Sequence, residues 1–370
     1  MLKRKLSIAV VEPYIGGVGG AQKVIAAYSA YLKSKGHKVE IFSPRIQASP
    51  YKDFDSIKIN SFGFPSKFFS PWVFANKKFK DFDLIIANDF PSYFSSFKND
   101  NVLWICYSPK RDFYDLKQYT LSNSSVKGKI LLRLKEIMLK RKDYEAAHKV
   151  KKIMPISKEI KSRIENYYGM KTNEIFYSGL NTKEYCQGET GDYLLSVARF
   201  VKPKRVDLII ESMRLVKNKS IKLYLVGDGT KEEMEHIKEL SAGLPQVKII
   251  GKVDEIKLRD LYSNCLAAVY VPLNEDWGLV PLEAAASGKP TIGVNEGGLK
   301  ETIINGKTGF LLNEASQRYL AEKIDYLADN PQKAKELGNN ALRHSKKFDW
   351  SILLPKFEKI LLQTASAKSI

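Results

Sequence analysis

Two glutamates flank a glycine turn in the segment EDWGLVPLEA, residues 275–284. A buried strand is predicted to end just before Glu275, and a helix is predicted to begin near Leu279, which places Glu283 about one turn into it. The first N–H groups of a helix lack partners and carry partial positive charge, so they attract phosphate or other oxygen-rich groups. Carboxylates accept hydrogen bonds from hydroxyl groups. The segment therefore predicts a site for a ligand with phosphate and hydroxyl groups, unless each glutamate only serves its own helix dipole.

Cations follow another predicted strand, in the segment VARFVKPKR at residues 197–205. Arg199 can hold two phosphate oxygens at once, and Lys204 can act as a point charge. Fixed cations opposite a growing negative charge lower a reaction barrier. Lys202 and Arg205 lie close enough to share this role. The alternative is that all four are solvated surface cations.

A glycine-rich loop, GGVGG at residues 16–20, follows the first predicted strand. Glycine permits positive φ and a close approach of the backbone to a ligand. A dinucleotide fingerprint would need a third glycine where Gln22 stands, although Glu40 lies near the distance expected for its acidic residue. The loop thus favours a phosphate contact other than that of a nicotinamide cofactor.

Short apolar runs alternate with longer segments of helical spacing in both halves of the chain, which predicts parallel sheets covered by helices on both faces. We therefore expect an α/β protein of two doubly wound domains. The first comprises residues 1–184 and the second residues 185–349, with a hinge in 181–192. Ligands of such sheets bind beyond the carboxyl ends of the strands, which is where the motifs above lie.

The motifs together resemble those of the retaining glycosyltransferases of the GT-B fold, the large family-4 group. Residues 275–290 resemble the donor-binding motif, and residues 197–205 resemble the Arg-x4-Lys segment. The glycine turn at 225–229, the closing loops at 297–309 and the N-terminal loop at 19–23 also match. The resemblance implies two Rossmann-like domains facing a cleft, an acceptor-binding first domain and a donor-binding second one. It also implies that a C-terminal helix, residues 350–370, returns to the first domain.

The resemblance also implies a role for each matching residue. Arg199, Lys204 and Glu275 would be catalytic, with Glu275 meeting the transferred sugar, and Glu283 would hold the ribose hydroxyls. The remaining donor-binding residues implied are Gly19, Gly20, Gly227, Val253, Trp277, Gly278, Leu279 and Val280. Gly19 and Gly20 would press on the diphosphate from the first domain, and Val253 would meet the base. Retention of the anomeric configuration is likewise implied, and no cofactor or metal is expected.

The segment at residues 105–115 departs from the family pattern. Many relatives have a histidine that contacts the sugar or the reacting centre where this chain has Tyr107. A tyrosine can donate a hydrogen bond but is not a cation near neutral pH. Arg111 follows as a candidate contact for an acceptor phosphate, or as an ordinary surface arginine.

The net charge of +19 is unevenly distributed along the 370 residues. Residues 1–184 carry 33 basic and 17 acidic side chains, hence +16, and residues 185–370 carry 27 and 24, hence +3. This asymmetry indicates an anionic partner for the first half, whereas a general lysine bias would raise both halves alike.

Residues 126–142 combine seven cations with apolar residues at helical spacing, and residues 67–74 place aromatic rings beside a cation. Both patterns are typical of a membrane surface. The alternatives are a helix whose apolar side packs on the sheet and an ordinary loop. No apolar run approaches the 18 or more residues of a membrane span, and no nucleic-acid-binding module is recognisable. We expect a protein at the cytoplasmic face of a membrane.

The predicted function is transfer of a hexose from GDP-mannose or a UDP-sugar to an acceptor, such as a lipid-linked glycan or a glycolipid. Two other functions stay open. One is a nucleotide-sugar epimerase of related architecture. The other is a non-catalytic basic protein that binds membranes or nucleic acid.

Overall fold

The computed structural model describes residues 4–16, 19–47, 52–62 and 69–367. The chain folds into two compact units. Unit 1 contains the described residues up to Tyr177 together with those from Leu353 onward, and unit 2 runs from Ser178 to Ile352. The structural division thus falls a few residues from the boundaries predicted at 184/185 and 349/350.

Unit 1 is built on a six-stranded parallel sheet of order β3-β2-β1-β4-β5-β6. Strands β4 and β5 are buried along their whole length. Such continuous burial is expected where helices cover both faces of a parallel sheet. The strands are β1 (Ser7–Val11), β2 (Lys38–Ser43), β3 (Lys58–Ser61), β4 (Leu84–Ala87), β5 (Val102–Cys106) and β6 (Lys152–Pro155).

Several α-helices within the described residues belong wholly or mainly to unit 1. They are α1 (Gly20–Ser34), α2 (Ser70–Asn76), α3 (Lys117–Ser122), α4 (Val126–Lys149), α5 (Lys158–Tyr168) and α13 (Trp350–Ser366). Helix α13 is held against α1 because the Tyr31 hydroxyl donates to Glu358 at 3.0 Å and the Phe357 ring meets the Tyr28 ring edge-on.

Unit 2 repeats the architecture with a parallel sheet of order β12-β11-β10-β7-β8-β9. Its strands are β7 (Tyr193–Val197), β8 (Lys222–Val226), β9 (Val247–Gly251), β10 (Ala267–Tyr270), β11 (Thr291–Val294) and β12 (Gly309–Leu312). Its helices are α6 (Val206–Leu215), α7 (Lys231–Ser241), α8 (Glu255–Asn264), α9 (Leu279–Ala286), α10 (Leu299–Thr302), α11 (Gln317–Asp329) and α12 (Pro331–Ser345). The strands pack on the helices through a continuous apolar core.

Helix α4 differs from the prediction in length and in the surroundings of its apolar residues. It continues to Lys149, beyond the predicted end at residue 142. Its predicted apolar side does not pack on the sheet; Ile130, Leu134 and Ile137 are 50–77 % exposed. Only residues near its C-terminal end are buried: Leu139, Asp143, Ala146 and Ala147. Apolar side chains thus stand in solvent beside the cations.

Asp143 anchors the C-terminal half of α4 to the body of unit 1. Its carboxylate accepts hydrogen bonds from the hydroxyls of Tyr93, Tyr114 and Tyr168. Burial raises the pKa of this carboxyl, and the three hydrogen bonds oppose that rise. The C-terminal half of α4 is therefore firmly held, while the N-terminal half keeps one side exposed. Within the described residues, no helix combines the length and the apolar character needed to cross a bilayer.

Candidate active site

Lys204 and Glu275 meet at the carboxyl ends of two adjacent strands of unit 2. The Lys204 Nζ lies 2.7 Å from the Glu275 Oε2. Lys204 belongs to a short 3₁₀ turn after β7, and Glu275 lies in the loop after β10. Because β7 and β10 are paired, their following loops are neighbours, and the Leu273 N–H donates to the Pro203 carbonyl at 2.8 Å. Among the cations of residues 197–205, the fold brings Lys204 to the predicted carboxylate.

Tyr270, the last residue of β10, completes this cluster. Its hydroxyl accepts a hydrogen bond from Lys204 at 2.9 Å. Burial raises the pKa of Tyr270, and the charges of Glu275, Asp276 and Glu283 add to the rise. Tyr270 therefore keeps its proton, and both predicted carboxylates lie within electrostatic range of it. The sequence reasoning missed Tyr270, although a polar residue that ends a buried strand is a usable signal.

Glu283 is buried one turn into α9, with 8 % of its surface exposed. Its two carboxylate oxygens accept hydrogen bonds from Tyr185 at 3.2 Å and from Tyr262 at 3.0 Å. Burial and the adjacent Glu283 raise the pKa of Tyr262, so that hydroxyl stays a donor. A carboxylate offers about four acceptor positions, and these two hydrogen bonds use two of them. The two tyrosines come from distant parts of the chain and were not predicted.

The turn before α9 is shaped by Gly278 and Trp277. Gly278 has φ +96°, and a Cβ there would lie 2.8 Å from Leu299. Trp277 turns its side chain inward, where the indole N–H donates to the Ser178 carbonyl at 2.7 Å. The Trp277 side chain thus anchors the loop, and any ligand contact from it would be made by its backbone. Leu279 and Val280 begin the helix, where N–H groups lack intrahelical partners.

Gly297 and Gly298 support the backbone at Glu275. The Gly298 N–H donates to the Glu275 carbonyl at 2.7 Å. A Cβ at Gly297 would lie 2.1 Å from that same oxygen, so no larger residue fits. Arg205 binds Glu296 at 2.9 Å, and Glu296 also accepts the Asn274 N–H. Arg205 therefore stabilises the loops around the site, a role that its sequence neighbours did not suggest.

Arg199 lies in the loop that follows β7, and this loop is fixed by the turn after β8. The Phe200 N–H donates to the Asp228 carbonyl at 2.7 Å. Gly227 has φ +147°, and a Cβ there would lie 1.8 Å from the Ala198 carbonyl oxygen. Gly227 is thus required for the packing of two loops. The Arg199 side chain is exposed and makes no ion pair in the described part of the chain, so the structure does not bring it into contact with Lys204 and Glu275.

Val253 is half-buried between β9 and α8, and no feature of the structure tests its predicted contact with a base.

In unit 1, Gly19 caps α1, and Gly20 is its first residue. A Cβ at Gly19 would meet no atom within 4 Å. Packing within the described residues therefore does not require a glycine there. Gln22 fixes the preceding loop, since its side chain accepts the Gly16 N–H at 3.2 Å and donates to the Tyr14 carbonyl at 2.9 Å. Residues 17 and 18 of the predicted glycine loop lie outside the described residues.

Tyr107 lies in a buried polar cluster at the carboxyl ends of β1, β4 and β5. Its hydroxyl and Glu12 Oε2 are both buried, and neither has a hydrogen-bond partner among the residues that the structure describes. Burial raises the pKa of Glu12, and the nearby Asp89 charge raises it further. Burial also raises the pKa of Tyr107. Glu12 was not predicted, although its place directly after β1 is a signal of the kind used for Glu275.

Arg111 is already paired. Its guanidinium holds Asp115, with a closest N–O distance of 2.6 Å, and only 15 % of the Arg111 side chain is exposed. The predicted contact with an acceptor phosphate would compete with this ion pair.

No three His, Cys, Asp or Glu side chains within the described ranges are grouped so that they could hold a metal ion. Asp-x-Asp patterns, whose paired carboxylates could bind a metal ion, occur at residues 53–55 and 81–83. Asp83 pairs with Arg4 at 2.7 Å and accepts the Ser7 N–H, so it fixes the amino-terminal ends of the central strands β1 and β4.

Comparison with known families matches both halves of the chain. The profile for glycosyl transferases group 1 matches residues 182–344, and the profile for glycosyltransferase family 4 matches residues 18–184. The chain belongs to the group 1 glycosyltransferases of the GT-B fold. The fold class predicted from the sequence, α/β with two doubly wound parallel sheets, is confirmed.

This glycosyltransferase resembles proteins of varied specificity. It is 32 % identical to the uncharacterized glycosyltransferase MJ1178 of Methanocaldococcus jannaschii over 54 % of this chain and 56 % of that protein. It is 23 % identical to the alpha-1,3/1,6-mannosyltransferase ALG2 of Dictyostelium discoideum over 91 % and 93 % of the two chains. The structure of Anabaena Alr3699/HepE in complex with UDP-glucose superposes with a TM-score of 0.77 at 15 % identity, covering 97 % of this chain and all of that one. The last likeness shows the fold alone.

Proposed function

We propose that this glycosyltransferase transfers a hexose, with retention, from a nucleoside-diphosphate sugar to a lipid-linked acceptor at a membrane surface. The observation that carries the donor half of the proposal is the contact of Lys204 with Glu275 at 2.7 Å, beside the N-terminus of α9. The fold thereby joins a cation for phosphate oxygens, a carboxylate for sugar hydroxyls and a helix start with unpaired N–H groups.

The chemistry that these residues supply is electrostatic. When the diphosphate leaves the sugar carbon, negative charge grows on its oxygens, and Lys204 lies where it can offset that charge. Glu275 holds Lys204 in place and accepts sugar hydroxyls. Glu283, kept in position by two tyrosines, accepts the ribose hydroxyls. Arg199, exposed in the adjacent loop, adds a second cation once the donor is bound.

The donor is proposed to be GDP-mannose or a UDP-sugar. Two relatives support this range, because ALG2 of Dictyostelium discoideum is named a mannosyltransferase and the Anabaena protein was solved with UDP-glucose. No metal or other cofactor is required in this proposal, since Lys204, Arg199 and the α9 N-terminus face the diphosphate in its place.

The proposed location is the cytoplasmic face of a membrane, and helix α4 supports the contact with a membrane surface. At about 100° per residue, its exposed apolar side chains fall within roughly 140° of the helix circumference. They are Val126, Ile130, Leu131, Leu134, Ile137 and Met138, between 45 and 77 % exposed. Lys129, Arg133 and Lys140 lie on one side of this surface, Lys135 and Lys142 lie on the other, and Lys127 and Arg141 lie within it. Exposed apolar side chains beside cations favour contact with the boundary of anionic lipids. Residues 69–74 of the second predicted membrane segment include exposed Phe69, while residues 67 and 68 lie outside the described residues.

The proposal is tested by screening nucleotide sugars for thermal stabilisation of the purified protein, followed by transfer assays with the donor that binds. A ligand at 100 times its Kd stabilises by about 2.7 kcal/mol, which a melting curve resolves. A bound donor that is transferred only when lipid-linked acceptor is present supports the proposal. Conversion of the donor to a stereoisomer without acceptor would indicate the epimerase instead. The absence of stabilisation by every nucleotide sugar would contradict both.

A further inference from the structure

Unit 1 contains a cavity of about 260 Å³ that no part of the donor site uses. It lies beyond the carboxyl ends of the strands, because its walls include Pro13 after β1, Arg45 after β2, Phe90 after β4 and Lys110 after β5. Ligands of open α/β sheets bind at this edge. Helix α4 closes one side of it. The position of the cavity is thus that of a ligand site.

The charged groups of the cavity favour an anion. Arg45, Lys110 and Lys135 line it, against a single carboxylate, that of Asp112. Lys110 is paired with Asp112, whereas Arg45 and Lys135 make no ion pair with any described residue. The Arg45 guanidinium instead lies 5.2 Å from the Tyr14 ring centre. The positive charges of Arg45 and Lys135 are therefore not balanced by a described carboxylate, and they lie in a partly enclosed space. Such an arrangement suits a phosphate group.

The rest of the lining is apolar and includes Pro71, Trp72, Phe113, Leu132, Met138 and Leu139. A free phosphate gains nothing from such walls, and a sugar phosphate would place hydroxyl groups against apolar carbon. The cavity is also smaller than the roughly 300–1,000 Å³ of sites that enclose a whole ligand. It fits one end of a longer molecule, in which a phosphate is joined to an apolar chain.

Met138 lies where the apolar chain of such a ligand would leave the cavity. This residue lines the cavity and is also 46 % exposed on α4. One helical turn away, at i−4, Leu134 is 50 % exposed. The two side chains connect the cavity with the exposed apolar surface of α4, so a hydrocarbon chain leaving the cavity meets apolar side chains at once.

We infer that this cavity binds the phosphate end of the lipid-linked acceptor, with Arg45, Lys110 and Lys135 around the phosphate oxygens and the first part of the hydrocarbon chain against Met138 and Leu134. The inference rests on the proposed function for the identity of the lipid as acceptor. It moves the acceptor phosphate from Arg111, which is engaged by Asp115, to Arg45 and Lys135, with Lys110 beside them shared with Asp112.

The experiment uses octyl phosphate below its micelle concentration, titrated calorimetrically into the full chain, with inorganic phosphate and 1-octanol as comparison ligands. Lys135→Gln removes one cation of the cavity. Lys129→Gln is the matched control, because Lys129 is exposed on the same helix and does not line the cavity. Both variants change the charge of α4 equally, so a general attraction to anions falls equally in both.

We expect octyl phosphate to bind the wild type at least tenfold more tightly than either comparison ligand. Lys135→Gln should weaken that binding roughly 5- to 20-fold, and Arg45→Gln should do the same, while Lys129→Gln changes it less than twofold. Equal affinity for inorganic phosphate would overturn the lipid assignment, and equal affinity for octanol would overturn the phosphate assignment. Equal losses of octyl phosphate affinity in Lys135→Gln and Lys129→Gln would show that the ligand does not bind in the cavity.

The same samples separate this inference from the proposed function. Stabilisation by a nucleotide sugar reports on the donor site, none of whose predicted residues lines the cavity. If no nucleotide sugar stabilises the protein, the proposed function fails whatever octyl phosphate does. If a nucleotide sugar binds normally and octyl phosphate does not, the cavity inference alone fails. Unchanged melting temperatures of the three variants without ligand exclude unfolding as the cause.

Discussion

Lys204 and Glu275 form a 2.7 Å ion pair although they lie 71 positions apart in the sequence. Each is about one-fifth exposed, so the pair is shielded from bulk water yet open to a ligand. The ion pair holds the Lys204 ammonium in a fixed position, where it can offset the negative charge that develops on a leaving diphosphate.

Replacing Lys204 by alanine is expected to lower kcat about 10²- to 10³-fold, the usual cost of removing one preorganised group opposite a developing charge. The KM for the nucleotide sugar should change much less. Lys202→Ala is the matched control, since Lys202 lies two residues away in the same turn but is exposed. Steady-state kinetics with varied donor decide the matter, and equal effects of the two substitutions would remove Lys204 from the mechanism.

Glu283→Gln should act mainly on donor binding. A charged acceptor of hydroxyl hydrogen bonds contributes about 1.5–3 kcal/mol, so the donor KM should rise about 10- to 100-fold while kcat changes little. Glutamine keeps an oxygen for Tyr262, which lies 3.0 Å away, and so preserves the fold. Tyr185→Phe, which removes one hydrogen bond but leaves the carboxylate, should raise KM less than Glu283→Gln does. If Tyr185→Phe raised the donor KM more than Glu283→Gln does, the Glu283 carboxylate would support the fold rather than bind the donor.

Gly227→Ala should destabilise unit 2 by about 3 kcal/mol or more, because positive φ and a collision with the Ala198 carbonyl act together. Gly243→Ala separates the two causes, since Gly243 has φ +74° but open space where its Cβ would lie. That control should cost about 1–2 kcal/mol. Denaturant unfolding measures both, and similar losses would show that the packing of the Arg199 loop on Gly227 is unimportant.

Glu12→Gln should stabilise the protein increasingly as pH rises. Burial and Asp89 raise the pKa of Glu12 above its ordinary value of 4.5. The folded state therefore holds this proton more tightly than the unfolded state, and the stability gained below about pH 4.5 is lost as pH rises toward the folded pKa. Glutamine stays neutral throughout. The difference in melting temperature between variant and wild type should be smallest near pH 4.5 and largest near pH 8, and a constant difference would contradict a buried, proton-holding Glu12.

Ile137→Ser should weaken binding to anionic vesicles without lowering stability, because Ile137 is 77 % exposed on α4. Removing an inserted isoleucine forfeits about 1.5–3 kcal/mol of burial, or roughly a tenfold loss or more in partitioning. Ile256→Ser is the matched control, with the same residue type at 76 % exposure on α8 of unit 2. Flotation with vesicles containing anionic lipid compares them. Wild-type protein that stays in the soluble fraction would refute the membrane proposal.

The sequence by itself determined the architecture and the region of the donor site. Buried apolar runs alternating with helical spacing indicate parallel sheets with helices on both faces. The motifs after β7 and β10 could be assigned to one sheet edge because local patterns place them at strand ends.

Only the tertiary structure decided which side chains meet. Lys202, Lys204 and Arg205 look equivalent in the sequence, but the pairing of β7 with β10 directs Lys204 to Glu275 and leaves Arg205 to Glu296. Likewise, the apolar residues of α4 have the same spacing whether they pack on a sheet or stand in solvent. Their exposure follows from where Asp143 fixes the helix, through tyrosines 25 to 50 residues away. Contacts between residues far apart in sequence depend on strand order and packing, which no local pattern encodes.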